Sequence, residues 1–186
     1  YLRPISMNEW LLFSFIFFGI LSILGISELI RIRYKKTPES TRKFIHICVG
    51  SVVSICPFIF KVNIQLITLS ILFIAINTYL ILSNKISSMN KIERVSYGTI
   101  YFPLAVLFLA VFFGDKPISF FISILVLTFA DPIAALIGKR SHAYFYPWKD
   151  KKSIEGTLAM FSASLIIIML TTDIMARLYG AKFYLP

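Results

Sequence analysis

"WLLFSFIFFGILSILGISELI", Trp10 to Ile30, is a run of 21 residues with a single charge, Glu28. Coiled as an α-helix it measures about 31 Å, which matches the hydrocarbon thickness of a bilayer. The run is too long for the apolar region of a secretory signal, and no small-residue cleavage site follows it. It therefore reads as a retained span, and the rest of the chain repeats its character.

Further spans are expected at Phe44 to Phe60, Ile64 to Leu82, Tyr97 to Phe113, Ile118 to Ile137 and Thr157 to Leu178. These segments do not alternate apolar and polar residues, which excludes a membrane β-barrel. The chain of 186 residues is 58% hydrophobic and only 15% charged, with a mean hydropathy of +0.80. Water cannot cover so apolar a composition as a soluble domain. The expected fold is all-α: a polytopic transmembrane helix bundle of about six spans, forming a single integral-membrane domain over residues 1–186. Cys48 and Cys56 stand eight residues apart within one span, too far along a helix to bridge, and read as packing residues.

The net charge is +10, and its distribution is informative. Fourteen of the nineteen Lys and Arg residues fall in the first, third and fifth connections; Arg3, Lys61, Lys116, Arg177 and Lys182 fall elsewhere. By the positive-inside rule those three connections face the cytoplasm and the amino terminus lies outside. The cationic excess thus reads as orienting loop charge, with no nucleic acid implied, and a nucleotide or an anionic lipid headgroup is the expected anionic partner. Trp10, Tyr34, Tyr97, Tyr146 and Trp148 suit the aromatic belts at the two interfaces.

Three polar clusters stand at the cytoplasmic ends of the spans. In "ESTRKFIHICVG", Glu39 to Gly50, a helix beginning near Thr41 puts Arg42, Lys43 and His46 on one face with Gly50 a turn deeper. Two cations and a His on one stripe suit phosphate groups, and Glu28 is a partner for His46 or Arg42. Snorkelling anchors are the plainer reading of Arg42 and Lys43, but a His inside an apolar span rarely lacks a partner.

In "ERVSYGTIYFPLAV", Glu93 to Val106, Gly98 and Pro103 loosen the helix where Tyr97 and Tyr101 supply hydroxyls, so the stretch reads either as a headgroup pocket or as a kinked packing helix. Asn77, one span earlier, either meets substrate or hydrogen-bonds across helices.

In "LTFADPIAALIGKR", Leu127 to Arg140, the carboxylate of Asp131 is followed by Ala134, Ala135 and Gly138 on the same face, against which something bulky can lie. Lys139 and Arg140 open a cationic connection that runs through Lys152 and contains His142, an interfacial residue by its aromatic neighbours. Ser153 is a credible N-cap for the last helix, with Glu155 in the first turn and with Gly156 and Thr157 leaving backbone N–H groups approachable. A helix N-terminus preceded by Lys suits an anion. Asp131 and Glu155 suit Mg²⁺ beside phosphate oxygens. The absence of a Walker P-loop and of a protein-kinase glycine loop excludes a soluble-kinase nucleotide fold, and with no H-E-x-x-H, Cys-rich zinc pattern or G-x-S-x-G elbow, zinc and serine-hydrolase chemistry have no support.

Together the clusters resemble the integral-membrane polyprenol kinases, which include phytol kinase, dolichol kinase and the CTP-dependent diacylglycerol kinase and are related to CTP-using cytidylyltransferases. "RKFIH" looks like that family's R-K-x-x-H, and "SYGTIYFP" is similar to its S-Y-G-x-x-Y-F-P. "ADPIAALIGKR" with "KSIEGTLAMF" looks like its D-x-x-A-x-x-x-G and K-[ST]-x-E-G-[ST]-x-A pair. "WKDKK" lies closer to the dolichol-kinase than to the phytol-kinase pattern. The family's further span with an acidic–Asn stretch is missing, so the expectation is a chain truncated at its C-terminus.

The resemblance implies a kinase that moves the γ-phosphoryl of CTP, or of ATP, with Mg²⁺, to the hydroxyl of a polyprenol such as dolichol, phytol or a related lipid. Asp131, His46 and Lys43 are the expected catalytic residues, and Asp131 and Glu155 the metal ligands. Arg42, Gly138, Lys139, Arg140, Lys152, Ser153, Gly156 and Thr157 are expected to hold the nucleotide, with Asn77, Tyr97 and Tyr101 on the lipid. The expected location is a bacterial or archaeal inner membrane, or an endoplasmic reticulum or plastid membrane, with the site facing the cytoplasm. A CTP-dependent lipid-phosphate cytidylyltransferase is the enzymatic alternative, although the H-G-G signature with repeated Asp is absent. A proton-coupled transporter or a packing protein is the alternative of another class; the lack of inverted halves counts against it.

Overall fold

The computed structural model describes residues 9–60, 63–82, 98–140 and 153–180. Their elements are all helical: α1 (Glu9–Arg33), α2 (Pro38–Ile59), α3 (Ile64–Leu82), α4 (Gly98–Phe113), α5 (Pro117–Leu125), a π-helical segment (Val126–Ala130), α6 (Asp131–Gly138) and α7 (Ile154–Tyr179). The helical run Pro117–Gly138, α1, α2, α3 and α7 are each long and apolar enough to cross a membrane, and α4 is a shorter apolar helix. Among the described residues six segments thus appear where six were expected.

Most boundaries fall within three residues of expectation, but α2 begins six residues earlier than Phe44. Thr37 in extended conformation caps it, its Oγ1 accepting from the Ser40 N–H at 3.3 Å, and Pro38 takes the first helical position. A missing N–H costs nothing there. His46 consequently lies about two turns into its helix. At the other end of that turn Lys35, at φ 49°, stops α1, and the Lys36 N–H donates to the Arg31 carbonyl at 3.1 Å.

Several serines inside the apolar helices satisfy themselves locally, whereas the buried Ser27 hydroxyl of α1 has no partner among the described residues. Ser54 Oγ donates to the Ser51 carbonyl and Ser70 Oγ to the Leu66 carbonyl, each at 2.8 Å. Such back-bonding removes the cost of a bare hydroxyl at hydrocarbon depth.

The chain divides into two compact units, residues 1–120 and 121–186. In the first, α1 packs on α2 and α3, and α3 packs on α4. Gln65 Nε2 donates to Glu9 Oε2 at 2.8 Å, so α1 and α3 start at the same end of this unit. Asn63 beside Gly114 ties the start of α3 to the end of α4, and Asn77 with Thr99 ties the opposite ends, as an antiparallel pair requires. In the second unit α6 and the π segment pack on α7.

Candidate functional site

In the first unit, the end where α1 and α3 finish and α2 and α4 begin collects most of the polar side chains. Glu28 accepts two hydrogen bonds from the Arg31 guanidinium, one of them from Nε at 2.8 Å. Arg31 is a partner that the sequence reading, which paired Glu28 with His46 or Arg42, did not weigh. Lys43 Nζ lies 3.6 Å from Glu39 Oε1, one turn back on α2, and both are partly shielded from solvent. Arg42 and His46 are half-buried on the same helix, and Gly50 is buried below them. The expected stripe of cations and imidazole is therefore present, with Lys43 already facing a carboxylate.

The His46 ring meets the Phe102 ring of α4 edge to face, with centroids 4.7 Å apart and planes at 71°. Such aromatic pairs contribute about 0.5–1.5 kcal/mol and fix ring orientation. Asn77 Nδ2 donates to the Thr99 carbonyl of α4 at 2.9 Å. The structure thus brings together His46, Asn77 and the first turn of α4. Tyr101 is exposed on the outside of that helix, 63% accessible, away from the buried line of Pro103, Val106 and Ala110. Tyr97 and Lys152 lie outside the described residues, as does His142.

In the second unit, the end of α6 meets the start of α7. Gly138 and Gly156 approach so closely that a Cβ placed on Gly156 would stand 3.1 Å from the Gly138 Cα and 3.2 Å from the Ala134 carbonyl oxygen. The small residues Ala134 and Gly138 therefore receive the first turn of α7. The occupant of that part of the face, expected to be something bulky, is this helix.

Ser153 caps α7 as expected: its Oγ accepts from the Gly156 N–H at 3.1 Å, and Thr157 Oγ1 donates back to the Ser153 carbonyl at 3.1 Å. Both hydroxyls are thereby engaged within the turn, and the Thr157 N–H donates to the Ser153 carbonyl at 3.1 Å, so the N–H groups of Gly156 and Thr157, expected to be approachable, are taken up by the cap. Lys139 and Arg140 are exposed just past the end of α6, on the helix that packs against this capped N-terminus.

Asp131 and Glu155 are both exposed. The Gly138–Gly156 contact puts Glu155 near the end of α6, whereas Asp131 stands seven residues earlier, about 10 Å along the helix. No group of three or more His, Cys, Asp or Glu residues gathers among the described residues. Mg²⁺ needs only one or two carboxylates when phosphate oxygens and waters complete its shell. Each carboxylate fits that role singly, or through water, better than both fit one directly held ion.

One feature escaped the sequence reading: the π segment that ends against Asp131. Pro132 offers no N–H to the Thr128 carbonyl, and its ring crowds that carbonyl. The wider turn at Val126–Ala130 relieves the crowding immediately upstream. Thr128 is fully buried, and its hydroxyl has no hydrogen-bond partner among the described residues. π segments are frequent at functional sites. The signal available in sequence was Thr128 four residues ahead of Pro132, inside an apolar run.

Fold and site together define an all-helical membrane protein with polar clusters at the ends of its spans. Among known proteins, a phytol kinase of Synechocystis sp. is 29% identical to this chain over 171 residues, covering 89% of this chain and 72% of that protein. The relationship supports the polyprenol and phytol kinase family for this chain, as the motifs had indicated. No family model and no solved structure matches it.

Proposed function

We propose that this protein is a membrane lipid-alcohol kinase that transfers the γ-phosphoryl group of a nucleoside triphosphate, CTP before ATP, to the hydroxyl of a polyprenol such as phytol or dolichol. The observation that carries the reading is the similarity to a phytol kinase over 89% of the chain. The geometry is compatible with it. Phosphoryl transfer needs positioning and charge neutralisation more than covalent chemistry.

On this reading Lys139, Arg140 and Lys152, near the positive end of α7, receive the phosphates of the donor, because cations and the helix dipole both favour anions there. Mg²⁺, when bound, neutralises phosphate charge, and Asp131 and Glu155 are the carboxylates suited to it. His46, Lys43 and Arg42, grouped on α2 of the first unit, are assigned to the lipid acceptor: the imidazole orients or deprotonates its hydroxyl, and the two cations offset phosphate charge. The lipid tail stays among the apolar helices. The excess of Lys and Arg in three connections supports a cytoplasmic-facing reading, where the nucleotide is available.

The test is a product assay with purified protein in detergent or vesicles, using phytol, dolichol, a short polyprenol and diacylglycerol with CTP or ATP. A lipid monophosphate that forms only when protein, nucleotide and divalent cation are all present supports the reading. Failure with every pairing overturns it.

A further inference from the structure

We propose that Asn77 is a positioning residue that supplies the hydrogen bond Pro103 cannot make, and so holds Phe102 against His46. Pro103 sits inside α4 and has no N–H, which leaves the carbonyl four residues back, that of Thr99, without its helical partner. Asn77 Nδ2, reaching across from α3, donates to that carbonyl at 2.9 Å. The replacement matters because Thr99 lies in the first turn of α4, which begins at Gly98. The Thr99 hydroxyl, buried, has no hydrogen-bond partner among the described residues.

Three residues on, and so on the same side of the helix, Phe102 presents its ring to His46 with centroids 4.7 Å apart. An amide on α3 thereby sets an aromatic ring on α4, and that ring sets the imidazole on α2. The second Thr-x-x-x-Pro break, at Thr128 and Pro132, is relieved by the π segment instead.

The proposal rests on the kinase reading for its effect on turnover, but not for the brace itself. Substituting Asn77→Ala breaks the brace, whereas Pro103→Ala gives residue 103 an N–H that can reach the Thr99 carbonyl within the helix and makes Asn77 dispensable. Four proteins decide the matter: wild type, N77A, P103A and N77A/P103A, each measured for thermal unfolding in detergent and for kcat and nucleotide KM.

The expected result is that N77A unfolds at a lower temperature and loses turnover on the order of tenfold with nucleotide KM unchanged, while N77A/P103A matches P103A in both measurements. If N77A does not fold, recovery of a folded N77A/P103A supports the brace, and failure of both to fold overturns it. An N77A defect that persists undiminished on the P103A background overturns it also, and assigns Asn77 to direct contact with substrate. Should the wild type phosphorylate no lipid alcohol, the kinase reading fails, yet the unfolding measurements still decide the brace.

Discussion

Replacing Gly156 by Ala adds one methyl group at the tightest contact between α6 and α7. That Cβ would stand 2.8 Å from Ser153 Oγ, 3.1 Å from the Gly138 Cα and 3.2 Å from the Ala134 carbonyl oxygen. The first neighbour is a small side chain that can rotate, but only by giving up its cap on the Gly156 N–H, worth about 1 kcal/mol. The other two are backbone atoms, so α6 and α7 must separate, and such overpacking costs roughly 1–3 kcal/mol. Better helix propensity of Ala returns at most about 1 kcal/mol. The net is a loss of about 2 kcal/mol, on the order of a thirtyfold shift toward the unfolded state.

Thermal unfolding in detergent measures it against two companions. Gly138→Ala meets Ser153 Oγ at 2.8 Å but the Gly156 Cα only at 3.5 Å, so its cost is about 1 kcal/mol. Gly25→Ala meets nothing within 4 Å and is neutral or slightly stabilising. Stability therefore falls in the order Gly25→Ala, Gly138→Ala, Gly156→Ala. A Gly156→Ala protein as stable as the wild type would refute the close approach of these two helices.

Asp131→Asn keeps the side chain's shape and removes its charge; turnover drops by about a hundredfold or more while the unfolding temperature holds, and wild-type rates would assign Asp131 to structure. Lys139→Ala raises the apparent KM for nucleotide, whereas His46→Ala lowers kcat with nucleotide KM nearly constant; steady-state kinetics that show KM effects alone in both would end this division between donor and acceptor sides. Single cysteines at the exposed positions 36 and 116, in a background without Cys48 and Cys56, should label from the cytoplasmic and the opposite side respectively. The reverse pattern would put the proposed site away from cytosolic nucleotide.

The helices were legible because a bilayer demands long apolar runs and this chain supplies six of them. α3 was located from Ile64 to Leu82 in sequence and in structure alike. The start of α2 was misplaced because hydropathy marks where a helix enters hydrocarbon, not where its hydrogen bonding begins; Thr37 and Pro38 carried that information as a cap. The Ser153 cap was legible because capping is local.

Interactions between distant residues were not. Nothing near Asn77 names Thr99 as its partner, and the connection becomes apparent only when Pro103 is seen to orphan that carbonyl. The π segment likewise depends on how a proline ring is accommodated in three dimensions, which apolar composition does not encode. Ala134 and Gly138 were recognised as small, but the occupant of their face, the first turn of α7, follows only from packing.

Which phosphorus atom reaches the lipid is the most direct test of the central claim. Purified protein is incubated with a lipid alcohol and either γ-labelled or α-labelled CTP, with the ATP pair in parallel, and the extracted lipid is counted. A kinase places label from the γ position in a lipid monophosphate and none from the α position. Label arriving from the α position, or from neither position with either nucleotide while the protein remains folded, would contradict the account.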